Sequence, residues 1–135
     1  MPPDRRPPDD PQEWLNRARS NLERAKADIR LDAVYLEDLC FDAQQAAEKA
    51  IKAVLLRRRI RFPHVHDIGT LLGLIEEHGD VVPAHIKEGA RLTRFAVQTR
   101  YPTLAEPVTA EEYRKAVSLA EAVLTWAEEQ VQNTP

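Results

Sequence analysis

Leu39-Cys40-Phe41-Asp42-Ala43-Gln44-Gln45-Ala46-Ala47-Glu48-Lys49-Ala50-Ile51-Lys52-Ala53 is the stretch that decides the fold. Its apolar residues recur every three or four positions, a period that a helix turns into one continuous face. Extended both ways, the pattern predicts a helix from about Tyr35 to Arg59. Leu36, Leu39, Cys40, Ala43, Ala47, Ala50 and Val54 face inward, and Asp38, Asp42, Gln45, Lys49 and Lys52 face outward. Ala43, Ala46, Ala47 and Ala50 are small enough for a neighbouring helix to approach closely, so a tight bundle is expected.

Outward from that helix, proline punctuates the chain. Pro63, Pro83 and the pair Pro102 and Pro107 separate segments of helical period, which makes five helices. The first starts at Asp10 as N-cap, with Pro11 at the first helical position and Glu13 placed to close a capping box, and runs to about Ile29. The third follows Asp67 and stops at Gly79. The fourth runs from Pro83 to about Arg100, with Ile86, Ala90, Thr93 and Val97 on its inner stripe and Lys87, Arg91, Arg94 and Gln98 on the outer one. The fifth opens at Thr109, with Glu112 as capping partner, and continues to about Val131. The expected fold class is all-α, an up-and-down helical bundle of four to five helices. Residues 10–132 form its one domain, between tails at 1–9 and 133–135. Four prolines and four charges in residues 1–9 offer no apolar face, so that tail is expected to be disordered and to add nothing to the fold.

The chain has 135 residues, of which 43% are hydrophobic, 30% charged and 6% aromatic, a balance suited to one soluble helical domain. A net charge of -3 excludes attraction to nucleic acid by the protein as a whole, so any such contact must come from a local patch. No apolar run approaches the ~20 residues that span a bilayer, and the proline-rich start lacks a secretion signal, so no membrane contact and a cytoplasmic location are expected. The single cysteine, Cys40, forms no internal disulfide and builds no thiolate metal site.

Several residues carry candidate chemistry. Arg57, Arg58, Arg59 and Arg61, with His64 and His66, occupy ten positions without one acid, a basic patch suited either to phosphate or to the negative end of the preceding helix. His64 and His66 lack a third ligand at a recognisable spacing, so no metal is expected. Cys40 lies on an inward face with nothing to lower its pKa, and reads as an inert thiol. Arg100 falls below Val97, Ala96 and Thr93, on the inner stripe. Two readings of it stand: a structural partner for a carboxylate such as Asp38 or Glu48, or an anion site at the base of a cleft with Tyr101 beside it. On the fifth helix, Tyr113, Val117, Ala120, Leu124, Ala127 and Val131 form a stripe that Ala116, Leu119, Ala122, Val123 and Trp126 widen to roughly 220°. That arc exceeds what a one-sided helix needs. A homodimer is expected, with Trp126 nearest the contact.

Together with His66-Asp67-Ile68, Leu71-Leu72 and Thr99-Arg100-Tyr101-Pro102, the opening stretch resembles the HEPN domain over roughly residues 12–131. The resemblance implies an α-helical bundle, frequent homodimerisation, and prokaryotic systems that pair such a protein with a minimal nucleotidyltransferase, commonly as toxin and antitoxin. Many HEPN proteins look like metal-independent RNases that carry an Arg and, after four to six intervening residues, a His. From Arg100 those positions hold Ala105, Glu106 and Pro107, which counts against RNA cleavage. Arg59 to His64 and Arg61 to His66 match the spacing only as coincidences in an Arg-rich segment. The expected function is therefore binding of a nucleotide or RNA phosphate, held by Arg100 and stacked or hydrogen-bonded by Tyr101, without a cofactor and beside a nucleotidyltransferase partner. Two alternatives are an active RNase toxin, using a His from the Arg57 to Asp67 loop across a dimer, and a non-catalytic interaction module.

Overall fold

The computed structural model describes residues 2–26, 33–98 and 107–133, and over these it is all-helical. Helix α1 spans Pro11–Lys26, α2 Leu36–Arg57 and α3 Ile68–Glu77. The fourth helix is compound: α4 at Ala84–Lys87, a 3-10 segment at Glu88–Thr93, and α5 at Arg94–Gln98. Helix α6, Ala110–Gln132, closes the bundle. The ends expected near Ile29 and Arg100 lie outside the described residues.

Helix α2 is the axis, packed chiefly against α1 and α6. Asn21 meets Asp42 and Lys49 while Trp14 meets Lys52, so α1 runs antiparallel to α2. Val108 bonds Glu37 and Gln130 bonds Arg58, so α6 runs parallel to it. The alanine ridge does what its size suggests: Ala43, Ala46, Ala47 and Ala50 have no exposed surface. Asp42 and Lys52, expected on the outer face, are buried as well. Asp38, Gln45 and Lys49 keep the outer stripe, whereas Asp42 and Lys52 lie against α1 and must find partners inside.

The caps follow the sequence closely, with one exception. Thr109 and Glu112 close a reciprocal capping box at the start of α6, and the Asp67 side chain accepts from the Thr70 amide at α3. At α1 the Asp10 carboxylate accepts from the Gln12 amide, but Glu13 accepts from the Arg6 amide and from Arg17 rather than closing a box. The indole of Trp14 donates to the Pro8 carbonyl at 2.6 Å, so the chain before α1 lies along its first turn. Helix α2 ends in a Schellman motif, with Ile60 donating to Leu55 and Arg59 to Leu56. Arg59 sits there at φ 59°, a conformation glycine would take without cost.

The fourth helix departs from the even helical period expected of it. Ile86, Gly89, Leu92 and Phe95 are buried at a spacing of three, with Ala96 beside the last, whereas Ala90 and Thr93 are only half-buried. A 3-10 turn holds three residues, so side chains at i and i+3 eclipse, and the inner stripe moves by one position. Gly89 allows this: a Cβ on it would stand 2.9 Å from Val123 Cγ2 of α6. Helix α6 buries Ala116, Ala120, Val123, Leu124, Trp126 and Ala127 within the chain. Trp126, only 7% exposed, is therefore a core residue and not an interface anchor waiting for a partner.

Two substitutions test these backbone readings in opposite directions. Gly89→Ala should destabilise the protein by about 1–3 kcal/mol, because the new methyl overpacks the contact with Val123. Arg59→Gly should raise the urea midpoint, since the strained position costs an L-residue about 1–2 kcal/mol. Equilibrium urea unfolding followed by circular dichroism reads both, and midpoints equal to that of the wild type would refute both assignments.

Candidate functional site

The helix at the axis carries a polar constellation inside the bundle. Asn21 donates to Asp42 at 3.0 Å and accepts from Lys49 at 2.8 Å, while the Arg24 guanidinium lies 3.3 Å from the same Asp42 oxygen. Two turns along, Glu48 receives Gln44 at 2.9 Å on one oxygen and Lys52 at 2.9 Å on the other. The His66 Nδ1 stands 3.0 Å from Glu48 Oε1. The Lys52 ammonium also faces the rings of Trp14 and Phe62, at 5.9 and 5.7 Å. Among the described residues no buried side-chain polar atom lacks a partner.

This constellation is a structural lock. Burial pushes the Glu48 carboxyl up, but the bonds from Lys52, Gln44 and His66 and the charge of Lys52 outweigh it and hold Glu48 below its ordinary value. Lys49 is held below its ordinary value, by burial first and then by Arg17. Because the Glu48 pKa is lowered in the folded state, its stabilisation is present at neutral pH and is lost as pH falls through the folded value. Glu48→Gln should cost about 3–5 kcal/mol at pH 7, since it leaves the Lys52 charge buried without its counter-ion. The loss should shrink in acid, where the wild-type carboxylate is itself protonated. Urea midpoints between pH 3 and 7 check this, and a loss that grows toward acid would refute it.

The residues singled out in the sequence separate. Arg100 and Tyr101 lie outside the described residues. The basic run does not converge: Arg57 donates to the Val131 carbonyl, Arg58 bonds Asp80 at 2.7 Å and Gln130 at 2.6 Å, and Arg59, Arg61 and His64 are exposed. His66 turns to Glu48, a contact the sequence does not announce because the two are 18 residues apart. Among the described residues no group of three or more His, Cys, Asp or Glu side chains converges to hold a metal. The Cys40 thiol is pushed up to about 12 by burial, which removes it as a nucleophile. Among the described residues no helix is long and apolar enough to cross a membrane.

A groove of about 310 Å³ opens between the compound helix and the first half of α6. Its walls carry Arg91, Arg94 and Lys115, with Glu112 opposite Arg94, and its floor is Leu92, Phe95, Ala116 and Leu119. The Arg94 guanidinium stands 4.5 Å from the centre of the Phe95 ring and 2.7 Å from Glu112 Oε2. Arg91 reaches Glu88 at 3.6 Å, and Lys115 has no ion pair among the described residues. The hydrogen bond from Arg94 first, then those from the Thr109 backbone and side chain, hold the Glu112 carboxyl below its ordinary value. Arg91 and Arg94 therefore border a groove instead of lying on an unremarkable outer stripe. The spacing by three of Ile86, Gly89, Leu92 and Phe95 is the signal in the sequence that could have shown it.

Comparisons with known proteins agree on one family. The model of the HEPN domain matches residues 11–130. The chain is similar to TT1696 from Thermus thermophilus, with 36% identity and a TM-score of 0.77, covering 90% of this chain and 98% of that one. It is similar also to ST0689, an archaeal HEPN homologue, with 28% identity, a TM-score of 0.71, and 90% and 97% of the two chains covered. A HEPN domain protein from Thermotoga maritima, tm0613, aligns at 27% identity and a TM-score of 0.53, covering 88% and 91%. No curated protein matches the chain.

Proposed function

This chain belongs to the HEPN domain family, and from that premise we propose that it binds the phosphate of a nucleotide or of RNA at the end of the bundle where α5 faces α6. The observation that carries the reading is the groove walled by Arg91, Arg94 and Lys115, a local reversal of sign on a protein of net charge -3. Arg100 follows Gln98, the last residue of α5, by two positions, and in this reading its guanidinium holds the phosphate while Tyr101 stacks or donates. The protein acts as a homodimer beside a nucleotidyltransferase partner, as one half of a prokaryotic toxin-antitoxin-like pair. Leu119 and Ala122, on one face of α6, remain half-buried and offer a second copy an apolar edge.

RNA cleavage is the second reading. It is favoured by His66, whose ring is 49% exposed and oriented through Nδ1 by a buried carboxylate. Incubation of the purified protein with total RNA separates the two: intact RNA supports binding alone, and fragments that disappear with His66→Asn support cleavage. In either case Arg100→Ala should weaken binding of a labelled oligouridylate at least about tenfold, the loss of one charge-assisted phosphate contact. Circular dichroism of the variant must match the wild type. Unchanged binding, or none by the wild type, overturns the phosphate site. Light scattering that holds the mass of one chain on concentration overturns the homodimer.

A further inference from the structure

We propose that Lys49 is a covalent acceptor site, acylated by a small acyl phosphate whose phosphate the Arg17 side chain holds. The site lies where α1 meets the middle of α2 and takes no residue from the groove beside α6. It does not depend on the phosphate-binding reading above.

The geometry follows from one face of α1. Arg17, Asn21 and Arg24 are spaced by four and three, so they stand in line along that face. Asn21, buried at the centre, reaches across to α2, donating to Asp42 at 3.0 Å and accepting from the Lys49 ammonium at 2.8 Å. A neutral amide is thus the partner of Lys49, and among the described residues no carboxylate pairs with it. The nearby acids are engaged elsewhere: Asp42 with Asn21 and Arg24, Glu48 with Gln44, Lys52 and His66, and Glu13 with Arg17. Lys26, Lys52 and Lys87 differ, since each pairs with a glutamate, at 2.7, 2.9 and 2.8 Å.

A lysine becomes a nucleophile when partial burial and neighbouring cations weaken its hold on the proton. Burial first, and then the charge of Arg17, hold Lys49 below its ordinary value, with Arg24 acting in the same direction and Glu48 and Asp42 against it. The side chain is only half-buried, so a reagent reaches it. Arg17 binds Glu13 through Nε and has no partner on its two terminal amino groups among the described residues, which leaves a fork for an oxyanion. An electrophile that carries phosphate is therefore drawn to the amine. The nitrogen lone pair of the free amine attacks the acyl carbon, and the bond from that carbon to the phosphate oxygen breaks. Phosphate leaves with the electron pair and takes up the amine proton, so the products are an amide and inorganic phosphate. Because the site is open to water, an imine formed with a phosphorylated aldehyde would hydrolyse there, whereas the amide persists. The amide removes a charge beside Arg17 and Arg24 and keeps an N–H for the Asn21 oxygen.

Acetyl phosphate is the probe. Incubation of the full chain, followed by peptide mass spectrometry, should show Lys49 acetylated several-fold faster than Lys26, Lys87 and Lys115. Sulfate at constant ionic strength should slow the reaction at Lys49 by occupying the Arg17 fork. Arg17→Gln should cut the Lys49 rate several-fold with acetyl phosphate and less with acetic anhydride, a neutral reagent that gives Arg17 nothing to hold. A Lys49 rate no faster than those of the other lysines overturns the proposal, and so does a rate that sulfate leaves unchanged. Equal losses with the two reagents in Arg17→Gln overturn the role of Arg17. The first two measurements use the wild-type protein and decide the matter even if the variant folds poorly.

Discussion

The structure depends on one constraint: α2 is buried along most of its length, so the polar groups it carries inward, Asp42, Gln44, Glu48 and Lys52, must be satisfied by the protein itself. Glu48 and Lys52 are 3% and 6% exposed, and neither could remain charged there alone. Their mutual bond, with Gln44, His66 and the rings of Trp14 and Phe62, resolves the problem and in doing so fixes three separate pieces of chain. Helix α1 is placed through Trp14, the segment before α3 through His66, and the rotation of α2 by the requirement that Gln44, Glu48 and Lys52 lie in one line. Apolar burial supplies most of the favourable free energy, but it is non-directional. The buried charges supply register.

That division explains how much can be read from the residues alone. Pro63 and Pro83, the Thr109 and Glu112 box, the Asp67 cap and the alanine ridge are local signals, and each reappears in the structure where the sequence puts it. A periodicity argument sends Asp42 and Lys52 to solvent because it sends charge outward by default, and only the third dimension reveals that Asn21 and Glu48 await them. Contacts such as Glu48 with His66 join residues that no period relates. Trp126 is misread for a similar reason: an apolar arc of one helix says how much surface must be covered, not which neighbour covers it.

The candidate site is legible to a smaller degree. Arg100 and Tyr101, which the sequence singles out, lie outside the described residues, and 3.6 residues per turn throughout puts Arg91 and Arg94 on the wrong side. Where the helix tightens to three, the face rotates, and cations that would have pointed away come to border α6. The Arg57 to Arg61 run shows the converse. Its density of charge draws the eye, yet Arg57 and Arg58 direct their donors to the carbonyl end of α6 and to Asp80, holding helices together.

The tightened segment also determines which kinds of change the protein can accept through descent. Side chains at Ala90 and Arg91 are at least partly solvent-facing, so substitution there is a matter of surface chemistry. Length is different. One residue inserted or removed between Glu88 and Thr93 would turn everything beyond it by about 120°, drawing Gly89 or Leu92 out of register and bringing a side chain against Val123. Substitution can therefore change the composition of the groove wall, whereas a change in the number of residues that build it would disturb the contact of Gly89 with Val123.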